Sequence, residues 1–180
     1  MTRWLSLFLL IVALPALAAP TPAERLIADA TRRVDAAPDQ AAAHTALAMA
    51  LARRARETAD AALYDRALQS LERAFELAPA DFDAARTRVW VLLGKHEFAA
   101  ALTAAKALNA RYPDDLMTYA LLVDANIELG HYADAEAAAQ WLLDLRPGNI
   151  PGLTRAAYLR ELFGDLDGSI ELMLQALQRT

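Results

Sequence analysis

A period of 34 residues runs through most of this chain and constrains its fold more than any other feature. Pro79, Pro113 and Pro147 are separated by this interval. An aromatic residue stands 15 positions before each proline and an alanine stands 12 before it: Tyr64, Phe98 and Tyr132, and Ala67, Ala101 and Ala135. Three features in one register indicate a structural repeat. A period of roughly 20 to 50 residues is typical of stacked repeat units.

The composition favours helices in every unit. Alanine, leucine, arginine and glutamate dominate, β-branched residues are few, and most glycines stand at apparent turns. The dominant residues are good helix formers, because their side chains lose little freedom in a helix. No tract has the alternation of a β-strand, so we expect an all-α protein.

The chain resembles the tetratricopeptide repeat family, whose unit is a helix-turn-helix of the same length. The clearest unit runs from Leu116 to Asn149. Its residues on the signature positions of the family are Tyr119, Leu122, Gly130, Tyr132, Ala135 and Pro147. The resemblance implies an α-solenoid of stacked hairpins, in which each hairpin buries its apolar side against its neighbours. It also implies a protein that binds other proteins and is not an enzyme.

The register predicts one domain over residues 19–180. A lone helix at about 21–37 precedes repeats at about 41–81, 82–115, 116–149 and 150–180, of which the last is incomplete. The unit 41–81 carries seven more residues than the repeat length, around 53–61. We therefore expect its first helix to run on and to break near Asp60.

The N-terminus has the three parts of a secretory signal peptide. Arg3 precedes an apolar run from Trp4 to Leu14, and Pro15 to Ala19 supply the small residues of a cleavage site. The apolar run is shorter than the roughly 20 residues that span a bilayer. We expect residues 1–18 to be removed, with cleavage after Ala18, which would leave a soluble protein in the bacterial periplasm or otherwise exported, with no stable membrane anchor.

Charge and residue usage exclude several classes of function. The chain has 18 basic and 23 acidic side chains, so nucleic acid is not an expected partner. It has no cysteine, which excludes disulfides and thiolate metal sites. Its histidines are scattered singly, and no nucleophile elbow or phosphate-binding glycine loop occurs. We predict no catalytic residues, no metal and no cofactor.

The family resemblance implies that the first helices of the units line a concave groove. The partner-binding residues predicted on that analogy are Met49, Arg86, Trp90, Met117, Asp124, Arg155 and Tyr158. Trp90 and Tyr158 are the leading anchors, because aromatic residues are enriched at binding hot spots. Trp90 could instead pack between hairpins, and Trp141 is expected on packing or convex surface. Arg86 and Arg155 either pair with an acidic segment or merely solubilise the surface.

The last helix, expected over about 165–178, has more apolar residues than one buried stripe requires. Ile170, Leu174 and Leu177 are its predicted self-association or docking residues. Two interpretations remain open: a binding module that organises a cell-envelope complex with an unidentified protein or peptide, and a self-associating scaffold, such as a homodimer through this helix. An enzyme is the third alternative.

Overall fold

A computed structural model of the chain describes residues 19–179. The predicted signal peptide, residues 1–18, lies outside this range. The described residues form α-helices and no β-strand, which confirms the predicted all-α solenoid of hairpins. The helices are α1 Pro22–Ala36, α2 Ala41–Thr58, α3 Ala62–Leu77, α4 Phe82–Gly94, α5 Phe98–Arg111, α6 Leu116–Glu128, α7 Tyr132–Leu145, α8 Ile150–Leu162 and α9 Leu166–Leu177.

Side-chain caps open the helices that begin the later hairpins. Asp81, Asp115 and Asn149 precede α4, α6 and α8, and they stand in the 34-residue register. Each accepts a hydrogen bond from a backbone N–H three residues on, at 2.6, 2.7 and 2.8 Å respectively. These bonds satisfy amide groups that the first turn of a helix leaves without partners. The register therefore determines where each hairpin begins.

The alanines of the register lie where the two helices of a hairpin cross. Ala67, Ala101 and Ala135 are completely buried. Each belongs to the second helix of its hairpin and packs in a cluster with residues of the first. A larger side chain at such a crossing overpacks the contact, at a cost of about 1–3 kcal/mol.

The contacts between hairpins give the array a concave side. Neighbouring first helices approach one another, α2 against α4, α4 against α6, and α6 against α8. Among the described residues, the second helices α3, α5, α7 and α9 make no such contacts with one another. Because the first helices are close and the second helices are spread apart, the first helices form the inner surface.

The helix α2 departs from the repeat in the way that the extra residues predict. It has 18 residues, whereas α4, α6 and α8 have 13 each. It ends at Thr58, and Ala59 takes the left-handed conformation with φ of 54°. The extra turn projects beyond the ends of the neighbouring first helices, where it forms one side of the cleft described next.

Candidate partner-binding site

A cleft of about 630 Å³ lies at the C-terminal ends of α2, α4 and α6. One side is formed by Ala55 and Arg56, from the extra turn of α2, and by Ala59 just after it. Trp90 and Leu93 of α4 contribute apolar surface, and Asp124 and Glu128 of α6 form the opposite side. The departure of α2 from the repeat length therefore creates a feature that a regular array would lack.

Trp90 belongs both to the core and to this cleft. It is partly buried and packs against apolar clusters on two sides of α4. The guanidinium carbon of Arg56 lies 5.5 Å from its ring centroid, a cation–π distance. Trp90 therefore packs between hairpins, which was one of the two positions considered for it, and it also lines the cleft.

Tyr64 and Gly94 lie together in the wall of the cleft. A Cβ atom at Gly94 would stand 2.6 Å from the Tyr64 hydroxyl oxygen, so only glycine allows this approach of the ring. Burial raises the pKa of Tyr64, and the charge of Arg56 partly opposes that rise. The phenol therefore stays neutral at physiological pH and provides polar but uncharged surface.

Most charges around the cleft are already neutralised within the chain. Lys95 Nζ lies 2.7 Å from Glu97 and 3.0 Å from Asp65, and hydrogen bonds to these two carboxylates raise its pKa. Asp124 is paired with Arg155. Within the described part of the chain, Arg56 and Glu128 form no ion pair. The cleft consequently has one uncompensated cation on the α2 side and one uncompensated carboxylate on the α6 side.

Two of the seven predicted partner-binding residues, Trp90 and Asp124, line this cleft. Met49, Met117 and Tyr158 lie outside its lining and are exposed on the first helices α2, α6 and α8. For all seven residues, a part in binding stays a prediction. Trp141 is exposed on the second helix α7, near the Tyr119 ring.

The predicted arginines connect neighbouring hairpins. Arg155 of α8 donates two hydrogen bonds to the Asp124 carboxylate of α6, at 2.8 and 2.6 Å, and one to the Ala120 carbonyl at 2.9 Å. Arg86 of α4 binds Asp83 at 2.8 Å and approaches Asp115, the cap of α6, at 3.4 Å. An acidic partner would have to compete with these contacts, so their predicted binding role stays untested.

Sequence reasoning missed several residues of the cleft, namely Arg56, His96, Phe98 and Glu128. His96 has φ of 63° in the turn after α4, and its ring stacks on Phe98 with centroids 5.3 Å apart. The signal that could have found these residues is the extra length of the first unit. An insertion beside one hairpin turn lengthens one wall and leaves a space next to the following turn.

Among residues 19–179, no group of three or more histidine, aspartate or glutamate side chains could hold a metal ion. None of the helices in this range is long and apolar enough to cross a membrane. A second cleft, of about 760 Å³, lies between α3 and α5, where the Arg88 guanidinium carbon is 6.0 Å from the Phe75 ring centroid.

Comparison with solved structures identifies the architecture. MamA, residues 41 to the end, from Desulfovibrio magneticus RS-1 aligns with a TM-score of 0.66 and 20% identity, over 87% of this chain and 84% of that one. TTC0263, a tetratricopeptide repeat protein of Thermus thermophilus, aligns with a TM-score of 0.61 and 24% identity, over 71% and 72%. This chain has the tetratricopeptide repeat fold.

A third structure extends the comparison. A tetratricopeptide repeat protein from Parabacteroides merdae ATCC 43184 aligns with a TM-score of 0.76 and 12% identity, over 87% of this chain and 58% of that one. No family model matches the sequence, and no curated protein matches it significantly. Since all three identities are low, the likeness establishes the tetratricopeptide repeat fold alone.

Proposed function

We propose that this chain is a non-catalytic binding module of the bacterial cell envelope that holds a segment of another protein in the cleft at the ends of α2, α4 and α6. The observation that carries the proposal is the extra turn of α2, which places Arg56 over Trp90 at the edge of a cleft of about 630 Å³. Tryptophan and arginine are enriched among the residues that dominate binding energies.

The charges suggest the chemistry of the bound segment. An apolar side chain would lie on Trp90 and Leu93, where burial of apolar surface drives association. An acidic residue on one flank would pair with Arg56, and a basic residue on the other flank would pair with Glu128. Met117 and Tyr158 offer additional apolar surface on the first helices for a longer segment.

Selection from a random peptide library displayed on phage, with the purified chain as bait, tests this site. Arg56→Glu should weaken the selected peptides at least about tenfold, a loss near 1.4 kcal/mol. Arg88→Glu is the matched control, because Arg88 also lies over an aromatic ring but in the second cleft. Circular dichroism should show that both variants remain folded.

The selected sequences provide a second measurement. We expect an apolar residue flanked by an acidic residue, and Arg56→Glu should shift the selection toward basic residues at that flank. Equal affinity of the parent, Arg56→Glu and Arg88→Glu for the same peptides would show that the cleft is not the binding site.

The envelope location depends on the N-terminal sequence, which supports export through Arg3, the apolar run and the small residues before Ala19. Mass spectrometry of protein made in a secreting host should find a chain that begins at Ala19 or close to it. An intact Met1 terminus in the membrane fraction would contradict both cleavage and release.

A further inference from the structure

The second cleft, between α3 and α5, lies beside a position of α4 that lacks a large side chain. Ala85, the fourth residue of α4, lines this cleft. The fourth residues of the other first helices are His44 in α2, Tyr119 in α6 and Leu153 in α8. His44 and Leu153 are buried and Tyr119 is partly buried. Of these four helices, α4 alone leaves the position without a large side chain.

The following repeat shows what kind of group fills the corresponding space. The 34-residue register relates Ala85 to Tyr119 and Ala107 to Trp141. The rings of Tyr119 and Trp141 lie on α6 and α7 with their centroids 6.3 Å apart. Ala85 and Ala107 both line the second cleft, which has a volume of about 760 Å³. Two alanines therefore stand where the following repeat has two aromatic rings of its own.

The lining of the second cleft suits an aromatic ring. Phe75 of α3 and Leu108 of α5 supply apolar surface. The guanidinium carbon of Arg88 lies 6.0 Å from the Phe75 ring centroid. Aromatic rings favour edge-to-face or offset contacts with one another, and a guanidinium group is attracted to the face of a ring. A ring beside Phe75 and Arg88 would gain both contacts, so the cleft favours an aromatic over an aliphatic side chain.

Two arginines give the cleft positive charge on α4 and α5. Arg88 and Arg111 line it, and neither forms an ion pair within residues 19–179. In the following repeat their places are taken by Leu122 and Leu145. The same register that removes two rings from this cleft therefore adds two cations to it. These cations are available to a carboxylate of an incoming group.

The opposite wall of the cleft carries carboxylates. Glu72 and Glu76 of α3 belong to the lining, and Glu76 pairs with Arg73 at 2.8 Å. Glu72 forms no ion pair in the described part of the chain. The cleft is consequently negative on the α3 side and positive on the α4 and α5 sides. Complementary charges fix the register of a bound segment, so an acidic group would lie toward the arginines and away from Glu72.

We propose that the second cleft is a separate binding site for a protein segment in which an aromatic residue adjoins an acidic residue. The ring would occupy the space beside Ala85 and Ala107, and the carboxylate would pair with Arg88 and Arg111. Because Arg88, Ala107 and Arg111 are exposed, the cleft is open along one side, where the backbone of a segment can pass.

This site is distinct from the cleft at the ends of α2, α4 and α6. Ala85 and Arg88 belong to the N-terminal half of α4, whereas Trp90 and Leu93 of the other cleft belong to its C-terminal half. The proposal is therefore independent of the function proposed above.

A variant that fills the second cleft tests the proposal. The double variant Ala85→Tyr, Ala107→Trp gives this cleft the two rings that the following repeat has. A random peptide library displayed on phage is first depleted on this filled variant and then selected on the parent chain, which removes peptides that bind elsewhere. We expect the selected peptides to contain an aromatic residue next to an acidic residue.

Fluorescence anisotropy of the selected peptides, synthesised with a label, measures their affinity. Arg88→Glu should weaken them at least about tenfold, and the filled variant should not bind them detectably. Ala137→Trp is the matched control, because it adds the same ring to an exposed alanine of α7 outside the lining of the cleft. Arg56→Glu should bind these peptides as the parent does, which separates failure of this site from failure of the other cleft.

Recovery of no peptide, or of peptides without an aromatic residue, would overturn the proposal, as would equal affinity of the parent and Arg88→Glu. Circular dichroism establishes whether the filled variant is folded. If it is not, depletion on Arg88→Glu, which changes an exposed side chain, takes its place. Sedimentation velocity examines a second copy as the occupant: a dimer of the parent that Arg88→Glu dissociates would also overturn the proposal.

Discussion

The inner hairpin α6–α7 and the terminal hairpin α8–α9 are built from the same local signals but differ in the residues that they expose. Asp115 and Asn149 cap their first helices, and Gly130 and Gly164 take positive φ at their turns. The inward positions agree as well, because Leu142 of α7 and its counterpart Ala176 of α9 are both buried. The outward positions differ: α7 has the exposed Gln140, whereas α9 has Leu174, which is half exposed. The local signals define a hairpin, and the residue type at the outward position decides whether its surface is polar or apolar.

The largest expected difference in stability comes from leucine-to-alanine substitutions at one position in each of these two hairpins. Leu142→Ala removes a completely buried side chain and should lower the free energy of unfolding by about 2–5 kcal/mol, since the core cannot fully refill the space. Leu174→Ala should change it by less than about 0.5 kcal/mol when measured on the monomer. Urea unfolding of both variants at low protein concentration makes the comparison. Similar losses would mean that α9 is covered within a single copy.

Much of the fold could be predicted from the sequence, because residues that recur at a fixed interval determine where each hairpin begins and ends. The positions of Pro79, Pro113 and Pro147 indicated the hairpins, and the surplus residues around 53–61 indicated the longer α2. The exposed apolar side chains of α9, which include the predicted docking residues Ile170, Leu174 and Leu177, could be suspected from an excess of apolar residues in that helix. Its partner could not be identified, because amphipathic patterning shows that a face is apolar and not what covers it.

The cleft was less accessible to prediction than the fold. Positions implied by the family resemblance lie along regular first helices, whereas Arg56 lies on the extra turn and His96 and Phe98 lie around a hairpin turn. The roles of Arg86 and Arg155 depend on carboxylates in neighbouring hairpins, at Asp115 and Asp124. Such long-range pairs depend on helix packing, which the spacing of residues within one hairpin does not encode.

An intermediate effect should distinguish an ion pair between hairpins from one within a helix. Asp124 links α6 to α8 through two hydrogen bonds from Arg155. Asp124→Ala should therefore cost about 1.5–3 kcal/mol, the range for hydrogen bonds to charged groups. Asp83→Ala removes a more exposed partner of Arg86 within α4 and should cost less than about 1 kcal/mol.

Thermal or urea unfolding of these two aspartate variants measures the difference. The single variant Arg155→Ala and the double variant Asp124→Ala, Arg155→Ala complete a cycle that measures the coupling between the two side chains. If Asp124→Ala is as mild as Asp83→Ala, the pair between α6 and α8 does not hold the terminal hairpin in place. Arg155 would then be available to bind a partner at little cost in stability.

The smallest effect concerns acid and falls on the terminal hairpin, where α8 is capped by the neutral Asn149 and α9 by the titratable Asp165. The Gly168 backbone N–H, at 3.0 Å, and then Arg160, at 2.5 Å, lower the pKa of Asp165 below its ordinary value of 3.8. Because the folded pKa is depressed, this stabilisation is present above about pH 3.8 and is lost as the pH falls through the folded pKa.

Amide hydrogen exchange in α9 should therefore accelerate relative to exchange in α8 as the pH falls below about 3.8, after correction for intrinsic exchange. Asp165→Asn keeps an oxygen acceptor for the cap but cannot titrate, so in this variant the ratio of α9 to α8 protection should no longer change over that range. An unchanged acid response in Asp165→Asn would assign the loss of protection to other carboxylates of the chain.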